Sequence, residues 1–168
     1  MIFNNQQIYA NAETSLSDFK FDIDTGVLRT YTGTENCLEI PSDIYGMKLK
    51  IIGNGVFEWN YSLKSVTIPY NIERIGYLAF GWCRNLSEIN LSNSVVSIGD
   101  GAFMYCPFTS ITIPDSVTSI GDYAFYNCSN LESITFDNFD RLLLILDRLL
   151  CYFILFYYKI LSLCMFIL

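Results

Sequence analysis

The sequence contains no histidine. That removes the commonest general base, the commonest side-chain metal ligand and every triad built on imidazole. Lys and Arg total only 10 of 168 residues, are scattered, and are outnumbered by 17 Asp and Glu for a net charge of −7. The basic footprint that displaces counterions from a phosphate backbone is therefore missing, and no nucleic-acid partner is expected. The six cysteines form no C-x-x-C pair, so neither a zinc ribbon nor a thioredoxin-like site is expected. No P-loop, dinucleotide-binding glycine pattern, zinc signature or nucleophile elbow occurs. The acidic residues stand at no recognisable paired spacing. We assign no catalytic residue, no metal ligand and no cofactor, and the chain reads as a non-enzyme.

What the chain has instead is a repeat. Ile-Gly-x-x-(Ala/Val)-Phe recurs as Ile52-Gly53…Val56-Phe57, Ile75-Gly76…Ala79-Phe80, Ile98-Gly99…Ala102-Phe103 and Ile120-Gly121…Ala124-Phe125, at spacings of 23, 23 and 22 residues. A fixed period in this range marks a solenoid. Aligned in columns, the units read L-x-x-I-x-I-x-x-N/S-x-I/V: Leu63, Val66, Ile68, Asn71 and Ile72, then Leu86, Ile89, Leu91, Ser94 and Val95, then Phe108, Ile111, Ile113, Ser116 and Val117. This is the leucine-rich-repeat pattern. Its period-2 segment predicts a short strand in a parallel sheet on one face, of about five strands. The ninth, small polar residue turns the chain inward by bonding to backbone. Gly after Ile is expected to relax the backbone into a short helical turn, with Asp100 and Asp122 capping it. Phe57, Phe80, Phe103 and Phe125 are expected to stack in the core. Cys83, Cys106 and Cys128 follow the period. A column of reduced structural thiols is one reading, a disulfide or reactive thiol the other.

Around the repeats, composition divides the chain. Residues 1–18 are polar and read as a flexible leader. Their Ala10-x-Ala12 step resembles a signal-peptidase site but lacks the apolar run a signal requires. Residues 19–36 alternate as Phe19, Phe21, Ile23 and then Val27, Arg29, Tyr31 around Asp24-Thr25-Gly26, predicting a β-hairpin cap over the first edge of the solenoid. The solenoid covers 37–139, with an extra loop near Gly46 in its first unit. Residues 140–168 are a hydrophobic tail, and 149–168 carry one charge, Lys159. That length suits a membrane-spanning or capping helix. Three readings stand: a membrane anchor, a lid packed over the open solenoid end, and a tail encoded beyond a truncated repeat gene. The fold class is thus an α+β repeat solenoid: a right-handed leucine-rich-repeat coil with a parallel sheet on one face, an N-terminal hairpin cap and a C-terminal hydrophobic helix.

The stretch from Ser110 to Ile134, SITIPDSVTSIGDYAFYNCSNLESI, closely resembles the BspA-type leucine-rich repeat, and YTG…CLEIPSDIYGMKLKIIG resembles that family's longer opening unit. The resemblance covers about residues 28–136. It implies a non-enzymatic protein-binding or adhesion module, exposed on a cell surface or secreted, with host matrix or another cell-surface protein as partner. The array is short for that family, and its fifth unit stops after Phe136 without reaching its Gly and Phe. The alternative is a truncated fragment of a larger repeat surface protein with only a structural role.

Two stripes are candidate partner-binding positions. Lys64, Thr67, Glu88, Asn90, Ser110, Thr112 and Thr135 fall at outward strand positions and would make a hydroxyl-rich face. Against that, Ser and Thr simply suit an exposed sheet. Trp59, Trp82 and Tyr105 follow each column Phe by two places. They read either as a gripping aromatic stripe or as packing between turns.

Overall fold

A computed structural model describes residues 15–136. Most of the expected leader and the hydrophobic tail, including the helix expected over 149–168, lie outside the described residues. The chain first makes a 3-10 turn (Leu16–Asp18) and an antiparallel hairpin of β1 (Phe19–Asp22) and β2 (Val27–Tyr31). The Asp22 carboxylate accepts the Asp24 and Thr25 amides to close the turn, and Gly26 takes the positive φ that ends it. The first coil runs through β3 (Cys37–Glu39), a small hairpin of β4 (Asp43–Ile44) and β5 (Met47–Lys48), and β6 (Ile51–Ile52). Tyr45 and Gly46 both hold positive φ between β4 and β5, as a two-residue type I′ turn demands. This is the extra loop that the long first unit implies.

Later coils repeat two strands each: β7 (Ser65–Thr67) and β8 (Arg74–Ile75), β9 (Glu88–Asn90) and β10 (Ser97–Ile98), β11 (Ser110–Ile113) and β12 (Ser119–Ile120). The described part ends on β13 (Ser133–Phe136). The result is a β-solenoid of about five turns. One side carries the leucine-rich-repeat strands, but as two parallel groups, β3-β7-β9 and β11-β13, rather than a single five-stranded sheet. The break has a cause in the sequence. The coil from Leu86 is 22 residues long where its neighbours have 23, because Cys106-Pro107-Phe108 replaces the four-residue Cys83-Arg84-Asn85-Leu86 step. At the shortened turn, with a proline that lacks an amide proton, β11 does not join the ladder of β9. Ile89 and Leu91 beside the break are only partly buried, whereas Val66, Ile111 and Ile113 are buried.

The second side is a six-stranded sheet in the order β1-β2-β6-β8-β10-β12. Its strands are the Ile-Gly segments, and the N-terminal hairpin extends this sheet by pairing β2 parallel to β6. On the third side no α-helix forms among the described residues, which corrects the α+β expectation to a β class. Amide bonds there alternate. Ala79, Gly81 and Cys83 donate to the residue three back, while Leu78, Phe80 and Trp82 donate to Asp100, Ala102 and Met104 of the next coil. Leu78 and Trp82 hold positive φ, so a helix cannot continue through either.

The core is a set of columns. The rings of Phe57, Phe80, Phe103 and Phe125 stack at 4.7, 5.5 and 5.5 Å between centroids, as the period predicts. Tyr31 and Phe19 of the hairpin continue the column at 5.2 and 4.9 Å and cover its first ring. The glycine column serves a different purpose from the one expected. Gly53, Gly76, Gly99 and Gly121 have no positive φ; they are glycine because successive coils touch there. A Cβ on Gly99 would lie 2.7 Å from the Gly76 carbonyl carbon and 2.8 Å from the Tyr77 nitrogen, with no side chain free to move aside. Gly99→Ala is therefore expected to cost about 3 kcal/mol, the upper range for overpacking. Gly81→Ala meets the movable Leu78 Cδ2 at 3.0 Å and other Leu78 atoms no nearer than 3.4 Å, and should cost far less. Thermal melts of the two variants check this; equal losses would refute the backbone-contact explanation.

Candidate functional site

The outward strand positions are exposed, as alternation requires. Thr67 stands beside Asn90 across β7 and β9, with Glu88 two residues along the strand. Ser110 and Thr112 on β11 face Ser133 and Thr135 on β13, and the Thr112 and Thr135 hydroxyls meet at 2.8 Å. Lys64 is exposed just ahead of β7. The gap between the two strand groups divides these residues, so Lys64, Thr67, Glu88 and Asn90 form one cluster and Ser110, Thr112 and Thr135 another.

Trp59, Trp82 and Tyr105 form a ladder of their own, with centroids 4.7 and 5.4 Å apart and planes inclined by 14° in both pairs. Tyr61 meets Trp59, and Tyr126 meets Tyr105, edge to face. Trp59 is 48% exposed, whereas Trp82 and Tyr105 are half-buried. Trp82 thus has both ring faces occupied by protein, and the ladder presents mainly ring edges outward. All three residues hold positive φ, near +60°, an unfavourable region for bulky side chains. The sequence carries one faint sign of this backbone constraint: the fourth place of the column is Asn127, also at positive φ, a residue type that tolerates that region.

Cys83, Cys106 and Cys128 are free, buried thiols. Each donates to the carbonyl of the column phenylalanine in the preceding coil: Cys83 Sγ to Phe57 O at 3.0 Å, Cys106 to Phe80 at 3.2 Å, Cys128 to Phe103 at 3.1 Å. Burial pushes the thiols of Cys83 and Cys128 up to about 12 and raises Cys106 well above its ordinary value. They are a structural column held in the protonated form. The ninth-position residues also reach backward. Asn71 Nδ2 bonds the Ser42 carbonyl at 2.6 Å and also that of Leu49, and Ser94 Oγ bonds the Ile72 carbonyl at 2.8 Å. The expected Asp caps differ in geometry. The Asp100 carboxylate accepts the Asp122 amide of the following coil at 2.9 Å, and Asn54 does the same for Tyr77 at 3.0 Å.

One feature escaped the pattern because its floor has no side chains. Over the glycine column runs a trough of about 770 Å³. Its floor is Gly53, Gly76, Gly99 and Gly121, one wall carries Arg74, Ser97 and Ser119, and the other carries Asn54 and Asp100. The only sequence signal is the column of residues beside Ile-Gly: Ile51, Arg74, Ser97 and Ser119 are paired in register and are mostly polar.

A family model described as "BspA type Leucine rich repeat region" matches residues 50–143 with six copies. Among solved structures, a leucine-rich repeat protein from Bacteroides capillosus is 28% identical, with a TM-score of 0.62, over 71% of this chain and 93% of its own. A leucine-rich cell surface protein from Faecalibacterium prausnitzii is 28% identical with a TM-score of 0.52, over 70% of this chain and 40% of its own. A leucine-rich repeat protein of T. pallidum, 23% identical with a TM-score of 0.57 over 69% of this chain, shares the fold. The chain spans 66% of the T. pallidum protein's length. No curated protein matches the sequence.

Two outcomes follow from the ladder and the thiols. Trp82→Ala removes both stacked contacts and is expected to cost about 2–3 kcal/mol, somewhat below a fully buried Trp. Trp82→Gly should be milder by about 1 kcal/mol because glycine accepts the positive φ. Urea titration of both separates ring packing from backbone strain, and a Gly variant less stable than Ala would refute the strain. The second concerns alkaline pH. A thiol with a raised folded value leaves stability untouched below its unfolded value, about 9, and costs stability as the unfolded chain alone ionises. The protein should therefore lose stability from about pH 9 towards about 12. Removing one thiol, as in Cys83→Ala, should flatten that slope by about 1.4 kcal/mol per pH unit. An unchanged slope would show that the thiol is ionised in the fold.

Proposed function

The chain belongs to the BspA-type leucine-rich repeat family, and on that premise we propose that it is a non-enzymatic protein-binding or adhesion module displayed at a cell surface or secreted. The observation that carries the reading is the rigid register of the outward strand positions. Thr67 beside Asn90, and Thr112 bonded to Thr135, offer polar groups already fixed by the ladder beneath them. Little conformational entropy then remains to be lost on binding, which favours recognition by preorganisation. The similarity to a cell surface protein of F. prausnitzii supports display. Among the described residues no helix is long and apolar enough to cross a membrane; the segment 149–168, offered from sequence as an anchor, lies outside them.

The partner is a protein, of host matrix or of another cell surface. Each strand cluster is small, so one copy binds modestly and many copies on one surface bind firmly through effective concentration. Two measurements check the reading. Protease applied to intact cells should remove the chain; a chain that survives until lysis is not displayed. Purified chain coated on beads should adhere to plates bearing collagen or laminin above an albumin control. Thr67→Trp and Thr112→Trp, both on exposed positions that tolerate bulk, should reduce that adhesion at least fivefold with the fold unchanged. Adhesion indifferent to both would remove the hydroxyl face from the interface.

A further inference from the structure

We infer that the trough over the glycine column is a second docking site, separate from the hydroxyl face, and that it takes an extended polypeptide segment bearing an acidic residue towards the hairpin end and a basic residue towards the third coil.

The trough exists because the coils must touch there. Any Cβ on the floor would strike the preceding coil's backbone, so the floor stays bare and the walls stand one side chain above it. Charge is distributed unevenly along this channel. Arg29 of β2 stands at the hairpin end and Arg74 on the wall one coil beyond Gly53. Arg29 is held by Asp22 at 3.0 Å, whereas Arg74 has no ion-pair partner among the described residues. Asp100 stands on the opposite wall, further along. One of its carboxylate oxygens accepts the Asp122 amide, and the other is left to a ligand. The surrounding charge follows the same direction. From Asn85 to Phe136 the sequence holds five acidic residues and no Lys or Arg, while all seven cations of the described chain precede Asn85. The field along the trough therefore runs from mixed charge to uniformly negative.

The occupant follows from this lining. A ligand lying along the axis crosses strands about 4.8 Å apart, so Arg74 and Asp100, one level apart, are separated by about 5 Å along the axis. That is one to two residues of extended chain at about 3.4 Å each. The walls offer hydroxyls, an amide and charges of both signs, which match a polypeptide with its evenly spaced amides and mixed side chains. No aromatic ring lines the trough, so the flat apolar platform on which sugar rings stack is lacking. The aromatic ladder lies on another side of the coil.

A fluorescein-labelled peptide, Ser-Thr-Asp-Ser-Lys-Ser-Ser, places its charges two residues apart and serves as the probe. Anisotropy is read with the full-length chain at about 0.15 M salt, where surface charges are screened beyond about 8 Å. The expected result is saturable binding, at least tenfold tighter than for the same peptide with Ser at both charged places. Arg74→Gln and Asp100→Asn should each weaken it about fivefold, the upper range for exposed ion pairs. Asn at 100 keeps the oxygen that holds the Asp122 amide, so the fold is spared. Ser97→Trp, which fills the trough from an outward position, should abolish binding, whereas Thr67→Trp on the other face should leave it unchanged. The inference is overturned if the uncharged peptide binds as well, if Arg74→Gln and Asp100→Asn are both neutral, or if maltohexaose displaces the peptide. It is also overturned if Thr67→Trp, and not Ser97→Trp, abolishes binding. None of these results bears on adhesion through the hydroxyl face, whose failure would show in the coated-plate measurement alone.

Discussion

Backbone meets backbone along the glycine column, and the distance between coils is set there. With a Cβ excluded, Gly76 and Gly99 let one coil rest on the next closely enough for amide ladders to close on all three sides of the coil. The ring spacing of the phenylalanine column, 4.7 to 5.5 Å, is the same separation expressed in side chains. A wider spacing would lengthen the hydrogen bonds of both sheets at once and open the aromatic column. Stability in such an array is mostly a sum over neighbouring pairs, so the least well joined pair limits the whole. Here that pair is the third and fourth coils, where Pro107 shortens the turn and β9 and β11 do not pair. The second sheet and the turn ladder still bridge the joint: β10 pairs with β12, and Phe103 donates to Ala124.

Polar groups inside the coil are handled with little charge. The three thiols stay protonated because burial disfavours the thiolate, and each gives its proton to a phenylalanine carbonyl that also accepts a turn amide, filling that oxygen's second lone pair. Ser94 and Asn71 do likewise at the inward turn. The Ser116 hydroxyl, at the equivalent place in the next coil, is buried with no partner, and it follows the 22-residue unit whose strand does not pair with the next.

The columns of buried residues were legible from the sequence because each is chemically uniform. Ile52, Ile75, Ile98 and Ile120 could hardly be read otherwise, and the stacked phenylalanines followed from the same interval. The β-hairpin was legible from alternation around Asp24-Thr25-Gly26. The second sheet was not, since strands of two residues leave no period-2 signal. The divided strand face was also hidden. A one-residue deletion in the turn before β11 looks small in an alignment of columns and leaves the alternation of that strand intact, yet it removes the pairing of β11 with β9. The purpose of glycine was misread for a physical reason. Conformational freedom and close approach both select glycine, and only coordinates tell them apart. The aromatic positions Trp59, Trp82 and Tyr105 were visible as a stripe, but their positive φ was marked only faintly, by Asn127 in the fourth place, because such strain is imposed by the coils around them.

The hydrogen bonds between side chain and backbone share one polarity. Cys83, Ser92, Ser94, Thr118 and Cys128 all donate to carbonyls of the preceding coil, and the amides of Tyr77 and Asp122 donate back to Asn54 and Asp100. In these side-chain bonds the proton comes from the later coil, whereas the turn amides of Leu78, Phe80 and Trp82 donate the other way, to the coil that follows. An earlier coil therefore presents the acceptors of its side-chain bonds before their donors have been made, while its turn amides wait for carbonyls still to come. Such a molecule is suited to being wound up at the ribosome from its first residue onward, like thread taken onto a spool.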